Sequence, residues 1–460
     1  MKCTVAFLIF SQVIRWTDGV RAALNEDTFP DWYPSWLNWL CPLHDTESNG
    51  EGYTLLTSGL QRWPCVGRGC PLDDTDPQEG TSLFPCLRRG CKDRQAEVKR
   101  AAAAIREAAV SLSWRLGAPF CEANTTDGLH MSCENERGYD VDMDPEQKLG
   151  WGANGYIRKA RFYKNTTAKN EFEEVAVKSF DVSLVHMDRI IAEVDIMGKV
   201  SSRYTVGFIH SCIVLYPATS KGTLDLLMPV SRGGDLFDFV ATYGTTGEEG
   251  ARLDRSLWMN AMVPGVFMQL LRATEFLHSG KGVIHRDIKL ENVLLKDPWA
   301  SDSEEWPIVQ LSDYGLSRTL LQGKRINARW ESCGTVPYMA PELLLGGMYD
   351  FRVDIWSLGV SLYVMCAGHL PWEGSEPCTM VSNIKASMSA DPAKGVRGYD
   401  HGKFHMCPAW ARRIVKRIFV HEPYRPKIDL LIDLTLAAIG AEDQRLREKL
   451  LASFPGANKK

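Results

Sequence analysis

An eight-residue run near the middle of the chain constrains its fold and chemistry more than any other feature. It reads His-Arg-Asp-Ile-Lys-Leu-Glu-Asn over residues 285–292. One short loop thus carries a carboxylate at Asp287, an ammonium at Lys289 and an amide oxygen at Asn292. Transfer of a phosphoryl group to a hydroxyl needs a proton acceptor, a cation beside the phosphate and a metal ligand. The run therefore predicts a phosphoryl-transfer loop, in preference to a helix start with a charged face.

A glycine-rich stretch and a lysine upstream of this loop predict a phosphate site. Residues 150–155 read Gly-Trp-Gly-Ala-Asn-Gly, and a Val-Ala-Val-Lys run ending at Lys178 follows after the length of a hairpin. Glycines let the backbone approach phosphate oxygens closely, and the lysine neutralises phosphate charge. Lys178 then needs an orienting carboxylate. Glu193 is the candidate because it lies at the edge of a helical apolar stripe, whereas Asp195 faces away from it.

The run Asp313-Tyr314-Gly315 predicts a metal site. It directly follows the apolar residues 308–311. The Asp313 carboxylate and the Asn292 amide oxygen are ligands of the kind that Mg²⁺ prefers. The Tyr314 ring can pack in a core, but its hydroxyl then needs a hydrogen-bond partner or water.

Together these motifs resemble those of eukaryotic protein kinases, and the resemblance extends over residues 145–440. It implies an α+β fold of two lobes, with a small β-rich N-lobe and a larger α-helical C-lobe. It also implies an enzyme that transfers the γ-phosphate of ATP, with Mg²⁺, to serine or threonine hydroxyls of proteins. Lys289 and Thr335 resemble the serine/threonine type, and the catalytic loop resembles the calcium/calmodulin-kinase-like group. The alternative is a pseudokinase scaffold, which the complete set of catalytic motif residues disfavours.

The resemblance assigns the motif residues to three groups. Met228 takes the gatekeeper position, and the hinge after it would contact adenine through the backbone of Pro229 and Ser231. Proline at 229 loses only an N–H that the ligand does not use. The predicted catalytic residues are Asp287, Lys289, Lys178 and Glu193, and the predicted metal ligands are Asn292 and Asp313. The predicted nucleotide-binding residues are Gly150, Trp151, Gly152, Ala153, Asn154, Gly155, Ile157, Ala176, Lys178, Met228, Pro229, Ser231, Asp235 and Leu294.

The resemblance also implies structural and regulatory contacts. Glu342 would pair with Arg425, and Asp354 would anchor the catalytic loop. Glu331 stands where many such kinases carry a phosphorylated threonine that pairs with the arginine before the catalytic aspartate, here Arg286. A carboxylate carries less charge than a phosphate. We therefore predict that Glu331 replaces the phosphate in part, so that the kinase needs no activation-loop phosphorylation.

Charge provides the predictions about partners. Asp235 and Glu291 occupy positions that meet substrate arginines in basophilic kinases, so the resemblance implies protein substrates with basic residues before the acceptor. The formal net charge of −4 argues against a nucleic-acid partner. The sequence does not indicate an oligomeric state.

The N-terminal part differs in composition from the kinase-like region. Residues 1–22 predict a secretory signal, and residues 23–92 form an extension rich in Cys and Trp. Of 13 cysteines, one lies in the predicted signal and an even number remain. This favours disulfides in the secretory pathway over a zinc site or cytoplasmic thiols. In that compartment Asn124 and Asn165 begin glycosylation motifs. The architecture resembles that of secreted rhoptry-type kinases.

The remaining segments are predicted from local pattern. Residues 93–144 are predicted as a helix and a linker, with the helix over 93–116. That helix packs on the kinase lobe or, alternatively, contacts a membrane surface. Residues 242–254 and 297–307 are predicted surface loops. Residues 441–460 are predicted as a C-terminal helix and tail.

Overall fold

The computed structural model describes residues 106–455, apart from 108, 114, 124–129, 134–137, 142–147, 153–154, 164–170, 182–186, 217–220, 245–252, 302, 304, 332, 373, 375–376 and 389–394. The predicted signal, the Cys/Trp-rich extension and the first part of the predicted helix lie outside these residues. So do both predicted glycosylation motifs.

Eight strands form the sheet of the N-lobe, and seven of them close into a barrel. The strands are β1 (Phe120–Ala123), β2 (His130–Cys133), β3 (Gly138–Val141), β4 (Lys148–Gly152), β5 (Gly155–Tyr163), β6 (Phe172–Asp181), β7 (His210–Tyr216) and β8 (Lys221–Pro229). Their order is β3-β2-β1-β7-β8-β6-β5-β4, and β3 also pairs with the second half of β5. Strands β1 and β7 are parallel, and the other pairs are antiparallel. The β3–β5 pairing therefore closes seven strands into a barrel, and β4, paired with β5, is the edge strand among the described residues.

A separate apolar core fills the barrel. Successive side chains of a strand point to opposite faces of the sheet, so one face lines the barrel and the other faces the cleft between the lobes. Ala176 and Met228 lie on the cleft face and join the main core of the protein. The buried side chains on the barrel face are Tyr139, Val141, Ala160, Phe162, Val175, Val177, Cys212, Val214 and Leu227.

The prediction of a linker before the kinase region is wrong for residues 120–141. This segment carries β1, β2 and β3, which complete the barrel. Each of these strands is four residues long, too short for local periodicity to mark them. Residues 106–107, 109–113 and 115–116 are helical, in agreement with the predicted helix. Ala109 and Leu112 of this helix are fully buried in the main core.

The C-lobe is built from helices around one central, buried helix. The helices of the chain from residue 187 onward are α1 (Met187–Lys199, in the N-lobe), α2 (Leu236–Tyr243), α3 (Arg255–Leu257), α4 (Val263–Glu275), α5 (Ala328–Glu331), α6 (Pro341–Leu344), α7 (Arg352–Ala367), α8 (Pro377–Ser387), α9 (Ala409–Ile418), α10 (Ile428–Gly440) and α11 (Gln444–Ser453), with π-helical turns at Trp258–Met262 and Phe276–Lys281. Every residue of α7 after Arg352 is buried. A helix that is apolar on all sides belongs in a core, and α7 is the scaffold of this lobe.

Short strand pairs shape the loops that face the cleft. They are β9 (Val283–Ile284) with β12 (Arg318–Thr319), β10 (Val293–Leu295) with β11 (Val309–Leu311), and β13 (Ile326–Asn327) with β14 (Met348–Tyr349). The first two pairs bracket the run at 285–292, so they fix both ends of the predicted catalytic loop.

The predicted surface loop at 297–307 has tryptophan anchors that the sequence prediction did not use. Trp306 donates a hydrogen bond to Ala261 O at 2.7 Å and packs against Phe454. The predicted C-terminal helix is present as α11. None of the helices among the described residues combines the length and apolar character needed to cross a bilayer.

Candidate active site

A buried lysine between two carboxylates forms the centre of the cleft. Lys178 on β6 donates to Glu193 Oε1 at 2.6 Å and to Asp313 Oδ1 at 3.0 Å. Burial alone would lower the pKa of Lys178, but the charges of Glu193 and Asp313 outweigh it and raise the pKa. Burial raises the pKa of Glu193, and the Lys178 ammonium opposes that rise. The 2.6 Å contact is that of an ion pair, so we take both groups as charged.

Helix α1 presents Glu193, and not Asp195, to this lysine. Its buried stripe of Ile190, Val194 and Met197 packs into the main core, as the sequence pattern predicted. Glu193 is buried beside that stripe. Asp195 is on the solvent side and pairs with Lys199, one helical turn away, at 2.5 Å.

Asp354 of α7 anchors the catalytic loop from below. Its side chain is fully buried and accepts hydrogen bonds from the backbone N–H groups of His285 and Arg286, each at 2.8 Å. The ring of His278 lies 2.7 Å from Asp354 Oδ2. Burial alone would raise the pKa of Asp354, but these hydrogen bonds and the nearby histidines hold it below its usual value. Arg286 has a φ of 70°, a left-handed conformation that costs free energy and must be held by such contacts.

Asp287 and Lys289 of the loop converge on Thr335 of the activation segment. Asp287 Oδ1 accepts from the Thr335 backbone N–H at 2.9 Å and from the Thr335 hydroxyl at 2.7 Å. Lys289 Nζ donates to the same hydroxyl at 2.8 Å and lies 3.4 Å from Asp287 Oδ2. One carboxylate, one ammonium and one activation-segment threonine therefore form a single polar cluster.

Asn292 and Asp313 fit the predicted Mg²⁺ site. The Asn292 Nδ2 group donates to Asp287 O at 2.8 Å and to Asp287 Oδ2 at 3.0 Å. Because these contacts use the amide nitrogen, the amide oxygen is the atom available to a cation. The Asp313 carboxyl is 45% exposed and opens to the cleft. The Lys178 charge is the main cause that lowers its pKa, so Asp313 is ionised as a metal ligand must be.

Tyr314 is buried, and its hydroxyl has a hydrogen-bond partner. Its ring is buried in the main core, and its hydroxyl donates to Leu311 O at 2.9 Å. Burial raises the pKa of this phenol, so it remains a neutral donor. Asp313, just before it, has a φ of 60°. The tyrosine tip thus has the partner that a buried hydroxyl needs.

The described members of the predicted nucleotide-binding set lie on β4, β5, β6, β8, the hinge and β10. Strands β4 and β5 form the glycine-rich hairpin, with Gly152 opposite Gly155; Ala153 and Asn154 at its tip lie outside the described residues. The predicted adenine contacts share one apolar cluster: Ile157, Ala176, Met228 and Leu294. The hinge from Pro229 to Ser231 links β8 to the C-lobe.

Asp235 follows the hinge and has a local structural role. Its Oδ1 accepts from the backbone N–H of Asp238 at 2.9 Å and caps the N-terminus of α2. Its charge also acts on Glu291, which lies beside Asp287 on the catalytic loop. Asp235, Asp238 and Glu291 therefore form an acidic rim next to the proposed acceptor site.

The activation segment is tied to the C-lobe at two points. Glu342 and Arg425 are paired at 2.6 Å, as the sequence predicted, and Arg425 is almost fully buried. The Arg286 guanidinium donates to Leu316 O at 2.6 Å and to Tyr349 Oη at 2.9 Å. Glu331 is the last residue of α5, but its side chain is not among those that the structure describes. The sequence reasoning missed His278 and Tyr349, because neither stands inside a recognised motif.

Comparison with known proteins gives the family. The model of the protein kinase domain matches residues 143–425. A CBL-interacting protein kinase from Oryza sativa subsp. japonica is 32% identical over 274 residues, 58% of this chain and 52% of that protein. A probable myosin light chain kinase from Dictyostelium discoideum is 30% identical over 280 residues, 60% of this chain and 68% of that protein.

A CBL-interacting serine/threonine-protein kinase from Arabidopsis thaliana is 36% identical over 243 residues, 51% of this chain and 47% of that protein. The chain thus spans between about half and two thirds of the length of these curated relatives. The matched domain covers more than half of the chain and contains every cleft residue described above. The chain belongs to the protein kinase domain family.

Proposed function

We propose that this protein is an active serine/threonine protein kinase that uses ATP and Mg²⁺. The observation that carries the proposal is the chain of contacts from Glu193 through Lys178 to Asp313, at 2.6 and 3.0 Å. It joins α1, β6 and the metal loop, three separate elements that must all be in place for phosphoryl transfer. The names of the relatives as protein kinases, two of them CBL-interacting, agree with the reaction class.

Each residue then has a role that its contacts support. Asp287 would orient the acceptor hydroxyl and take its proton, and Lys289 would stabilise charge on the transferred group. Lys178, held by Glu193, would neutralise the nucleotide phosphates. Asn292 and Asp313 would hold Mg²⁺, which supplies charge neutralisation at the phosphates. Positioning and electrostatics account for this chemistry without a covalent intermediate.

The direct test is transfer of the γ-phosphate from ATP·Mg to a generic basic protein. We expect transfer by the full chain and its loss in Asp313→Ala, while Asp195→Asn, an exposed carboxylate on α1, stays near wild type. Absence of transfer by a folded wild-type chain that still binds ATP would contradict the proposal and favour a scaffold role.

The acidic rim supports a preference for basic substrates. Asp235, Asp238 and Glu291 lie within electrostatic reach of one another or of Asp287. Carboxylates in this position favour arginine or lysine through charge-assisted hydrogen bonds. The test compares peptides that differ only in an upstream Arg or Glu. We expect Glu291→Gln to reduce the preference for Arg, and an unchanged preference would contradict this assignment.

Activity without activation-loop phosphorylation is the second part of the proposal. The described contacts of Arg286 include hydrogen bonds to Leu316 O and Tyr349 Oη. A carboxylate at Glu331 would add the negative charge that a phosphate supplies in related kinases. Glu331→Ala in protein never exposed to an activating kinase tests this, with Glu331→Asp as the charge-conserving control. Equal activity of all three proteins would contradict it.

We also propose a secretory compartment for the protein. Cys212 is buried in the barrel and is disulfide-bonded, with a partner that is not among the described side chains. Disulfides persist in oxidising compartments. Expression with the intact N-terminus in a secretory host, followed by mass analysis with and without reductant, is the test. A reduced protein retained in the cytoplasm would contradict this proposal.

A further inference from the structure

A buried hydrogen bond joins the segment before the kinase domain to the sheet that carries Lys178. Tyr139 on β3 donates from its hydroxyl to Asp225 Oδ2 on β8 at 2.7 Å. Both residues are fully buried. Tyr139 precedes the part of the chain that matches the kinase family, whereas Asp225 lies inside it. The contact therefore joins a segment that precedes the matched region to the kinase domain itself.

Asp225 has few other contacts that offset the cost of its burial. Its partners in the sheet are Ser179 on β6 and Cys212 on β7, and Tyr139 Oη also lies 3.4 Å from Cys212 Sγ. Among the described residues, Asp225 Oδ1 has no hydrogen-bond partner. The hydroxyls of Ser179 and Thr223 lie near enough to act on the carboxyl charge, but without hydrogen-bond geometry. Among the described residues the Tyr139 hydroxyl is thus the group that donates a hydrogen bond to this carboxyl, while the charge of Arg158 also favours its ionised form.

The position of Asp225 links this bond to the nucleotide site. Asp225 stands opposite Ser179, and the next pair in register is Leu226 opposite Lys178. Three residues after Asp225 comes Met228, at the start of the hinge. Because β8 is paired with β6 along its length, a contact that ties Asp225 to β3 also restrains the hinge relative to Lys178. Contacts that hold the strands of a site rigidly also keep its binding groups in position before the ligand binds.

We propose that Tyr139 is a positioning residue for ATP binding. Its bond to Asp225 ties β8 to β3 across the barrel and so restrains the hinge, which begins at the end of β8, relative to Lys178. The inference rests on the proposed function, because it assigns ATP to the cleft. It adds that residues 120–141 are part of the working N-lobe, although they lie outside the family's own domain.

The test uses Tyr139→Phe in the full chain, with Tyr163→Phe as the matched control. Tyr163 also donates its hydroxyl to a carboxylate across the barrel strands, to Asp140 at 2.9 Å, but that bond joins β5 to β3 and does not reach β8. We expect Tyr139→Phe to raise the KM for ATP by about five- to tenfold with kcat per folded molecule nearly unchanged. Tyr163→Phe should leave the KM within about twofold.

Rescue separates positioning from a general loss of stability. Adding Asp225→Asn to Tyr139→Phe removes the buried charge that lost its donor, and we expect the KM to return toward wild type. An unchanged KM in Tyr139→Phe, or an equal rise in Tyr163→Phe, would overturn the proposal. The dissociation constant of ATP·Mg, measured by calorimetry, gives the same readout without transfer. A wild-type chain that binds ATP but transfers no phosphate would contradict only the proposed function.

Discussion

Two aspartates, one in each lobe, are both fully buried, but different contacts stabilise their carboxylates. Asp354 in the C-lobe has two backbone N–H donors and the His278 ring within 2.8 Å. Asp225 in the N-lobe has the Tyr139 hydroxyl at 2.7 Å and an oxygen without a partner among the described residues. The pKa of Asp354 lies below its usual value and that of Asp225 lies above it, although burial opposes ionisation in both.

The difference lies in how many donors stabilise the buried carboxylate in each lobe. Donors that surround a carboxylate offset its loss of hydration and make it a rigid anchor. A single donor leaves much of that cost in place, so the group remains sensitive to its one partner. Asp354 thus holds the catalytic loop through several donors, whereas the Asp225 carboxyl in the barrel depends on the Tyr139 hydroxyl, which comes from a segment before the matched domain.

The largest expected effect comes from Asp354→Asn. An Asn amide can accept from one loop N–H, but its NH₂ group would then face the other, so a buried donor remains unsatisfied. We expect a loss of about 3 to 5 kcal/mol in unfolding free energy and of at least about 100-fold in phosphoryl transfer. Urea unfolding and transfer assays measure the two quantities.

The same substitution at Asp225 is the matched control for that experiment. Asn at 225 still accepts from Tyr139 and removes an under-compensated charge, so we expect no loss of unfolding free energy near neutral pH. Equal destabilisation by the two variants would refute the contrast between the lobes.

A smaller effect is expected in the cleft that lies between these two anchors. Glu193→Gln keeps the side-chain shape but removes the charge that faces Lys178 at 2.6 Å. We expect transfer to fall by about 10- to 100-fold, mainly through a higher KM for ATP, because Lys178 loses its orienting partner. Asp195→Asn on the same helix should have no comparable effect, since Asp195 pairs only at the surface. Similar losses in both variants would indicate a general effect on α1.

A contrast between short motifs and long-range pairing explains which features could be predicted from the sequence. The catalytic loop, Lys178, Glu193 and Asp313 were predictable because their spacing within short motifs reflects the chemistry that they perform. Strands β1 to β3 were not, because each is four residues long and gains its stability from pairing with β5 and β7. Asp225 looks like an ordinary polar residue in a strand until β3 brings Tyr139 to it. Motif spacing encodes sites, whereas barrel closure depends on long-range pairing.

The smallest expected effect is a pH dependence of stability that has opposite signs at the two aspartates. Because the pKa of Asp225 is raised in the folded state, the folded protein holds this proton at pH values where the unfolded chain has released it. Stability from Asp225 is therefore complete below its ordinary pKa and is lost as the pH rises through the folded pKa. For Asp354, whose pKa is lowered, stability is present above the ordinary pKa and is lost as the pH falls through the folded one.

Urea unfolding of wild type and Asp225→Asn from about pH 4 to pH 8 isolates the first of these terms. We expect the variant to become more stable than wild type as the pH rises, by about 1.4 kcal/mol for each unit of pKa shift. Tyr139→Phe should extend the loss of stability to higher pH, because the Tyr139 hydrogen bond lowers the pKa of Asp225 and its removal raises that pKa further. A difference that stays flat with pH would mean that Asp225 ionises as it does in water. In that case the barrel interior would be hydrated, and its closure by β3 would not isolate the carboxyl from solvent.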